Sequence, residues 1–199
     1  KKDVVSAIIT GVTTGFIAWR VFEYLGRSTF LGISLPWLVV LVPLAWIVGV
    51  AFGNILSRWI GFMGQFTKFV AIGFTNAAVD FGVFNLLIAF SGTATGVWFS
   101  VFKTISFVAA LVHSYLWNRR WAFKPYSEQA NREEFFKFTS VALFSMLVNV
   151  GVASLVVNTV DGLSFGFDEK VWANVAAATG AAMSMLFNFV GYKFVVFKK

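Results

Sequence analysis

Ser114-Tyr115-Leu116-Trp117-Asn118-Arg119-Arg120-Trp121-Ala122-Phe123-Lys124 closes one apolar stretch of the chain, and Asn188-Phe189-Val190-Gly191-Tyr192-Lys193-Phe194-Val195-Val196-Phe197-Lys198 closes another. Upstream of each stands the same kind of opening. Phe66-Thr67-Lys68-Phe69 with Asp80 and Gly82 precedes the first, and Phe135-Phe136-Lys137-Phe138 with Asn149 and Gly151 precedes the second. The carboxylate or amide follows its lysine at the same spacing in both, and Trp98 pairs with Trp172 further along. Residues 66–124 and 135–198 therefore read as one helical hairpin written twice. Repeats of this kind build many transporters.

The composition around these copies allows one broad class. Apolar residues make up 58% of the chain, charged residues 13% and aromatics 19%. The apolar segments are each about 20 residues long, enough for a helix to cross a bilayer. In hydrocarbon an unbonded backbone group has no water to turn to, so spanning segments are helices or closed barrels, and the two-residue alternation of barrel strands is missing. The expected fold is an all-α membrane protein with six transmembrane helices, spanning residues 4–25, 35–57, 69–90, 97–118, 137–158 and 171–192. A four-helix core of two parallel hairpin repeats occupies residues 66–199, and a two-helix N-terminal prefix occupies residues 1–65. Each copy contributes two helices, so both enter the membrane from the same side.

Charge sets the orientation. Lys1, Lys2, Arg58, Lys68, Arg119, Arg120, Lys124, Arg132, Lys137, Lys193, Lys198 and Lys199 fall on one side of this arrangement, and only Arg20, Arg27 and Lys170 on the other. The positive-inside rule then puts both termini in the cytoplasm. The net charge of +7 faces anionic headgroups and other membrane lipids, so nucleic acid is not needed to explain it. With no cysteine there is no disulfide framework or thiolate chemistry. Numbering begins at Lys1 rather than Met, which leaves room for an upstream segment. The first apolar stretch lacks a small-x-small cleavage site before a soluble domain, so the first helix is expected to stay.

Within the prefix, Gly11 with Gly15 and Gly49 with Gly53 have the small-xxx-small spacing of close helix contacts, suited to packing or to a dimerising face. Residues 54–65 carry Ile55, Leu56, Trp59, Ile60, Phe62 and Met63 around Arg58, which reads as an interfacial amphipathic turn at the end of the second helix.

The copies carry a family resemblance. Lys68-Phe69-Val70-Ala71-Ile72-Gly73, then Asn76-Ala77-Ala78-Val79-Asp80-Phe81-Gly82, then Asn118, Arg119, Trp121 and Phe123 resemble the first half of the GtrA-like family of small membrane proteins. Lys137, Phe138, Asn149, Asn188, Phe189, Lys193 and Phe197 resemble its second half. Ser114 stands where the closing signature has Asn and Lys193 where Arg is common, and Lys offers no planar two-donor contact. The resemblance covers the last two thirds of the chain and leaves the prefix outside. It implies involvement with polyprenyl-phosphate-linked sugars, either moving the glycosylated carrier lipid across the membrane or accompanying the glycosyltransferase that makes it.

Such a lipid needs interfacial cations for its phosphate, hydrogen-bonding groups at depth for its sugar and a lipid-facing flank for its tail. The expected headgroup cations are Arg119, Arg120, Lys124, Lys193, Lys68 and Lys137, with Trp98, Trp117 and Trp121 as sugar or interface contacts. Their plainer reading is a set of topogenic anchors with an aromatic belt. At depth, Asp80 and Lys103 are expected to pair, since an ionisable group there is costly. Asn76, Asn118, Asn149, Asn188 and His113 extend this polar path, with Asn85 and Asn174 as further members; inter-helix bonding is the bland alternative. His113 could couple protons with Asp80 or serve as a helix-end contact. A lone histidine makes no metal site, and no phosphate-binding Gly-rich loop is present. No cofactor and no catalysis are expected, and Glu128, Glu133 and Glu134 read as a solvated helix start.

The expected function is translocation of a polyprenyl-phosphate sugar from the cytoplasmic to the outer leaflet, for cell-surface polysaccharide glycosylation, by a chain that could form a homodimer. One rival is a non-catalytic partner of a polyprenyl-phosphate glycosyltransferase. Another is a small proton-coupled multidrug exporter with an unpaired carboxylate in an aromatic cavity; Lys103 counts against it.

Overall fold

The computed structural model describes residues 1–92, 96–123, 132–160 and 169–197. The expectations resting on Lys124, Glu128 and Lys198, and on the side chains of Lys103, Trp172 and Asn174, lie outside the described residues. Among those described, six long helices follow one another: α1 (Lys2–Tyr24), α2 (Leu38–Leu56), α3 (Met63–Ser91), α4 (Gly96–Trp117), α5 (Arg132–Thr159) and α6 (Glu169–Gly191). By length and composition α1, α2 with the turn before it, and α3 can each cross a membrane. The chain divides into two compact units, Lys1–Lys124 and Pro125–Lys199.

In the first unit the prefix is packed onto the first hairpin. α1 tolerates threonines in an apolar setting because Thr10, Thr13 and Thr14 turn their hydroxyls back onto the carbonyls of Ser6, Ile9 and Thr10, which removes unpaired donors. α1 lies against α2 through Gly11 and Gly15: a Cβ on Gly11 would strike Pro43, and one on Gly15 the Leu38 carbonyl. These two glycines therefore serve an intramolecular seam and not a dimerising face. Gly53 likewise admits Thr67 of α3, while Gly49 has nothing within 4 Å. α1 meets α3 where the Thr14 and Thr75 hydroxyl oxygens lie 2.9 Å apart, with both side chains buried.

Between α1 and α2 the chain makes a small antiparallel ladder, β1 (Thr29–Phe30) against β2 (Ile33–Ser34), with Thr29 opposite Ser34 and Phe30 opposite Ile33. Its two turn residues, Leu31 and Gly32, have φ of 50° and 78°, the signature of a primed two-residue hairpin. α2 ends at Leu56, and the exposed apolar residues Trp59, Ile60 and Phe62 sit in the turn before Met63 opens α3. α3 ends at Gly92 in the left-handed conformation, φ 67°, a glycine's natural helix stop.

At its far end α4 leaves the α-helical pattern for a π-helical turn, Asn118–Phe123, which buries Asn118, Trp121, Ala122 and Phe123. Phe123 packs against Phe69 at 6.1 Å between ring centroids. In the second unit α6 does the same over Tyr192–Val196, and Phe197 packs against Phe138 at 6.0 Å. Tyr192 stacks on Phe138 at 4.2 Å, and Gly191 gives Val141 of α5 room to approach. Helix faces away from these seams expose large apolar side chains, among them Val48, Phe52, Phe81, Phe144 and Leu147, as lipid-facing helices do.

Candidate functional site

The basic end of the first unit is organised by a prefix residue, Asp3. Its Oδ2 meets Lys68 Nζ at 2.8 Å and accepts a hydrogen bond from Asn54 Nδ2 at 3.3 Å, while its Oδ1 accepts one from Trp121 Nε1 at 3.1 Å. One carboxylate thus joins the start of α1, the end of α2, the start of α3 and the π-helical turn. Two expectations change accordingly. Lys68, with a side chain only 11% exposed, is neutralised within the protein and is not a free headgroup cation. Trp121, 2% exposed, is a core residue and cannot stack on a sugar or line a belt.

The other cations at this end differ in setting. Arg119 is half-buried and Arg120 exposed. Arg120 lines a cavity of about 320 Å³ together with Lys1, Lys2, Val5, Ser6 and Trp121. Trp117 is half-buried between His113 and Trp121, with centroids 6.2 and 6.0 Å away. Trp98 is exposed on α4 beside Phe102, where it suits an interface.

Deeper in the hairpin, α3 presents Asn76 and Asp80 one helical turn apart to α4. Asp80 accepts a hydrogen bond from the fully buried Ser106 at 2.6 Å. Asn76 Oδ1 lies 2.6 Å from His113 Nδ1, so the histidine engages Asn76 and not Asp80. Ser106 went unnoticed in the sequence because a serine in an apolar helix has no distinguishing pattern. Its position on the face of α4 turned toward Asp80 is a tertiary fact.

In the second unit α5 uses Ser145 and Asn149, again one turn apart, toward α6. Ser145 donates to the Ser184 carbonyl at 2.9 Å, and Asn149 Nδ2 lies 3.5 Å from Ser184 Oγ, a contact at the outer limit of a hydrogen bond. Asn188 is half-buried with an Oδ1 that has no partner among the described residues. Asn118 falls off the expected path: it is 1% exposed and donates back to Ser114 O and Oγ of its own helix.

The basic end of this unit has its own arrangement. Lys193 is half-buried and lies over the Phe189 and Phe194 rings at 5.8 and 5.3 Å, a cation–π setting. Lys137 pairs with Glu133 at 2.5 Å one turn earlier on α5, and its hydrogen bond and charge hold the Glu133 carboxyl below its usual range. Glu133 is solvated as expected, but Glu134 is buried.

Comparison with known proteins agrees with this layout. A family model described as "GtrA/DPMS, transmembrane domain" matches residues 68–198. The chain is also 30% identical over 118 residues, 53% of its length and 76% of the relative's, to the uncharacterized membrane protein YngA of Bacillus subtilis (strain 168). The family match runs from the Asp3-bound Lys68 to the residue after Phe197 and takes in both hairpins. This chain is therefore a membrane protein belonging to the GtrA/DPMS transmembrane-domain family.

Proposed function

We propose that the protein carries a polyprenyl-phosphate-linked sugar from the cytoplasmic to the outer leaflet of a bacterial or archaeal cytoplasmic membrane. The observation that carries this reading is the polar pairing at depth in both hairpins: Asp80 with Ser106 and Asn76 with His113 in one, Ser145 and Asn149 with Ser184 in the other. Ionisable groups such as Asp80 and His113 held inside lipid-exposed helices are expensive and mark pathways, and the amides and hydroxyls beside them can hydrogen-bond along such a path. Sugar hydroxyls can exchange with these side chains while the tail stays among the exposed apolar faces.

The matched positions, Asn76 and Asp80 on one side and Ser145 and Asn149 on the other, support an internal repeat of two parallel hairpins. The π-helical turns at Asn118–Phe123 and Tyr192–Val196 and the Phe69–Phe123 and Phe138–Phe197 contacts support it too. On this reading all six helices span the bilayer and both termini are cytoplasmic. On the same reading the half-buried Arg119 contacts the phosphate on its way in, and Lys193 holds the matching position in the second hairpin. Net flux follows consumption of the sugar on the far side, and a second copy of the chain would enclose the path. The drug-exporter reading asks for an unpaired carboxylate, whereas Asp80 accepts a hydrogen bond from Ser106.

The test is reconstitution into liposomes with a labelled short-chain polyprenyl-phosphate sugar. Wild-type protein moves the lipid outward, and Arg119→Ala and Asp80→Asn each slow it by about tenfold or more, the scale of one lost charge-assisted contact. Absence of wild-type transport, with a glycosyltransferase retained on co-purification, replaces this reading with that of a glycosyltransferase partner.

A further inference from the structure

We infer that the prefix contributes half of a lipid-phosphate site: Lys1 and Lys2 at the start of α1 and Arg120 on the π-helical turn converge on one cavity and receive the phosphate of an isoprenyl-phosphate lipid there. The cavity, about 320 Å³, is lined by these three cations with Val5, Ser6 and Trp121. All three are exposed, and among the described residues none of them forms an ion pair.

Charge accounting at this end singles the cavity out. Among the described residues the cavity lining holds no carboxylate, and Asp3 reaches it only through Trp121. Both Asp3 oxygens are engaged, by Lys68 and Asn54 on one and by Trp121 on the other. Trp121 gives its N–H to Asp3 and also lines the cavity, so its indole stands between a neutralised cluster and an unneutralised one. Like charges gathered around one concavity repel each other, and an anion bound among them relieves that repulsion while accepting several charge-assisted bonds. Val5, 54% exposed, supplies an apolar flank on which the first carbons of an isoprenyl chain can lie. A phosphate group fits this chemistry from either a lipid or solution. The apolar wall, in a family of membrane proteins, selects the lipid. The inference rests on the proposed function for the nature of the tail and not for the phosphate.

The test uses the full chain in detergent and in phosphatidylcholine nanodiscs, with binding of citronellyl phosphate followed by native mass spectrometry. Lys1→Gln with Lys2→Gln, and separately Arg120→Gln, are each expected to weaken binding by about tenfold. Arg58→Gln removes an exposed cation outside the cavity and should change binding less than about twofold. Inorganic phosphate and phosphatidylglycerol should each displace the probe only in large excess.

Equal weakening by Arg58→Gln means diffuse surface charge and overturns the site, as does unchanged binding in both cavity variants. Displacement by inorganic phosphate at equal concentration makes it a site for soluble phosphate and overturns the lipid assignment. Displacement by phosphatidylglycerol at equal concentration overturns the isoprenyl preference. The two proposals also separate cleanly. Binding that follows the expected pattern in a protein that moves no lipid refutes the transport reading alone, and transport that survives with unaltered binding in the lysine double variant refutes this inference alone.

Discussion

At the scale of single residues, Asp3 carries the most structural weight for its size. Replacing it with Asn removes the charge opposite Lys68, whose side chain is largely withdrawn from solvent, and leaves a poorly solvated ammonium behind. Asp3→Asn should destabilise the first unit by about 2 kcal/mol, read as a lower melting midpoint in detergent. Lys68→Met combined with Asp3→Asn should cost less than the sum of the two single changes, because the stranded charge is gone; additive losses would show that the pair contributes nothing. None of this was legible in the sequence. The partners of Asp3 lie 51, 65 and 118 positions away, no local spacing connects them, and Lys68 and Trp121 read as available precisely because their neutraliser sat in the prefix. His113 was half legible. Its role as a polar contact was anticipated, but its choice of Asn76 depends on how α3 and α4 are rotated about their axes.

Elements were easier to read than contacts. Runs of apolar residues of spanning length identify helices without knowledge of their neighbours, and all six expected helices appear. The ladder between α1 and α2 was missed because Leu31 gives no turn signal: at φ 50° it occupies a conformation better suited to Asn or Gly,. Leu31→Asn should therefore stabilise the protein by about 1 kcal/mol, visible as a raised melting midpoint. A fall would mean that the exposed leucine makes contacts that matter more than its backbone. The glycines can be sorted in the same way. Gly15→Val pushes a side chain into the Leu38 carbonyl and should cost about 1–3 kcal/mol and much of the folded yield. Gly49→Ala meets nothing within 4 Å and should be neutral or gain up to about 1 kcal/mol. Equal tolerance of both would refute the α1–α2 seam.

For the whole molecule, the one-sided distribution of Lys and Arg predicts that a fluorescent reporter fused after Lys199 lights up in the cytoplasm, while alkaline phosphatase fused after Gly92 is active outside; the reverse result would invert the transport direction proposed above. The membrane class was legible from composition alone, while the likeness of the two hairpins is the reading proposed above from their shared openings and closings. The exception to regular helix was not legible. Nothing in Asn118–Phe123 or Tyr192–Val196 announces an i→i+5 turn, since such turns are rare and leave no fixed composition. That geometry has a historical meaning. A π-helical turn holds one residue more than the α-helical turn it replaces, which is what a single-residue insertion into a packed helix leaves behind when the flanking contacts are too valuable to rotate. On the duplicated-hairpin reading, the extra residue entered the ancestral gene before its copies parted, and each descendant half has had to keep its own. Deleting one residue from either turn would restore the ancestral pitch and swing everything beyond it by about 100°, so these two short segments should resist length changes far more stubbornly than substitutions.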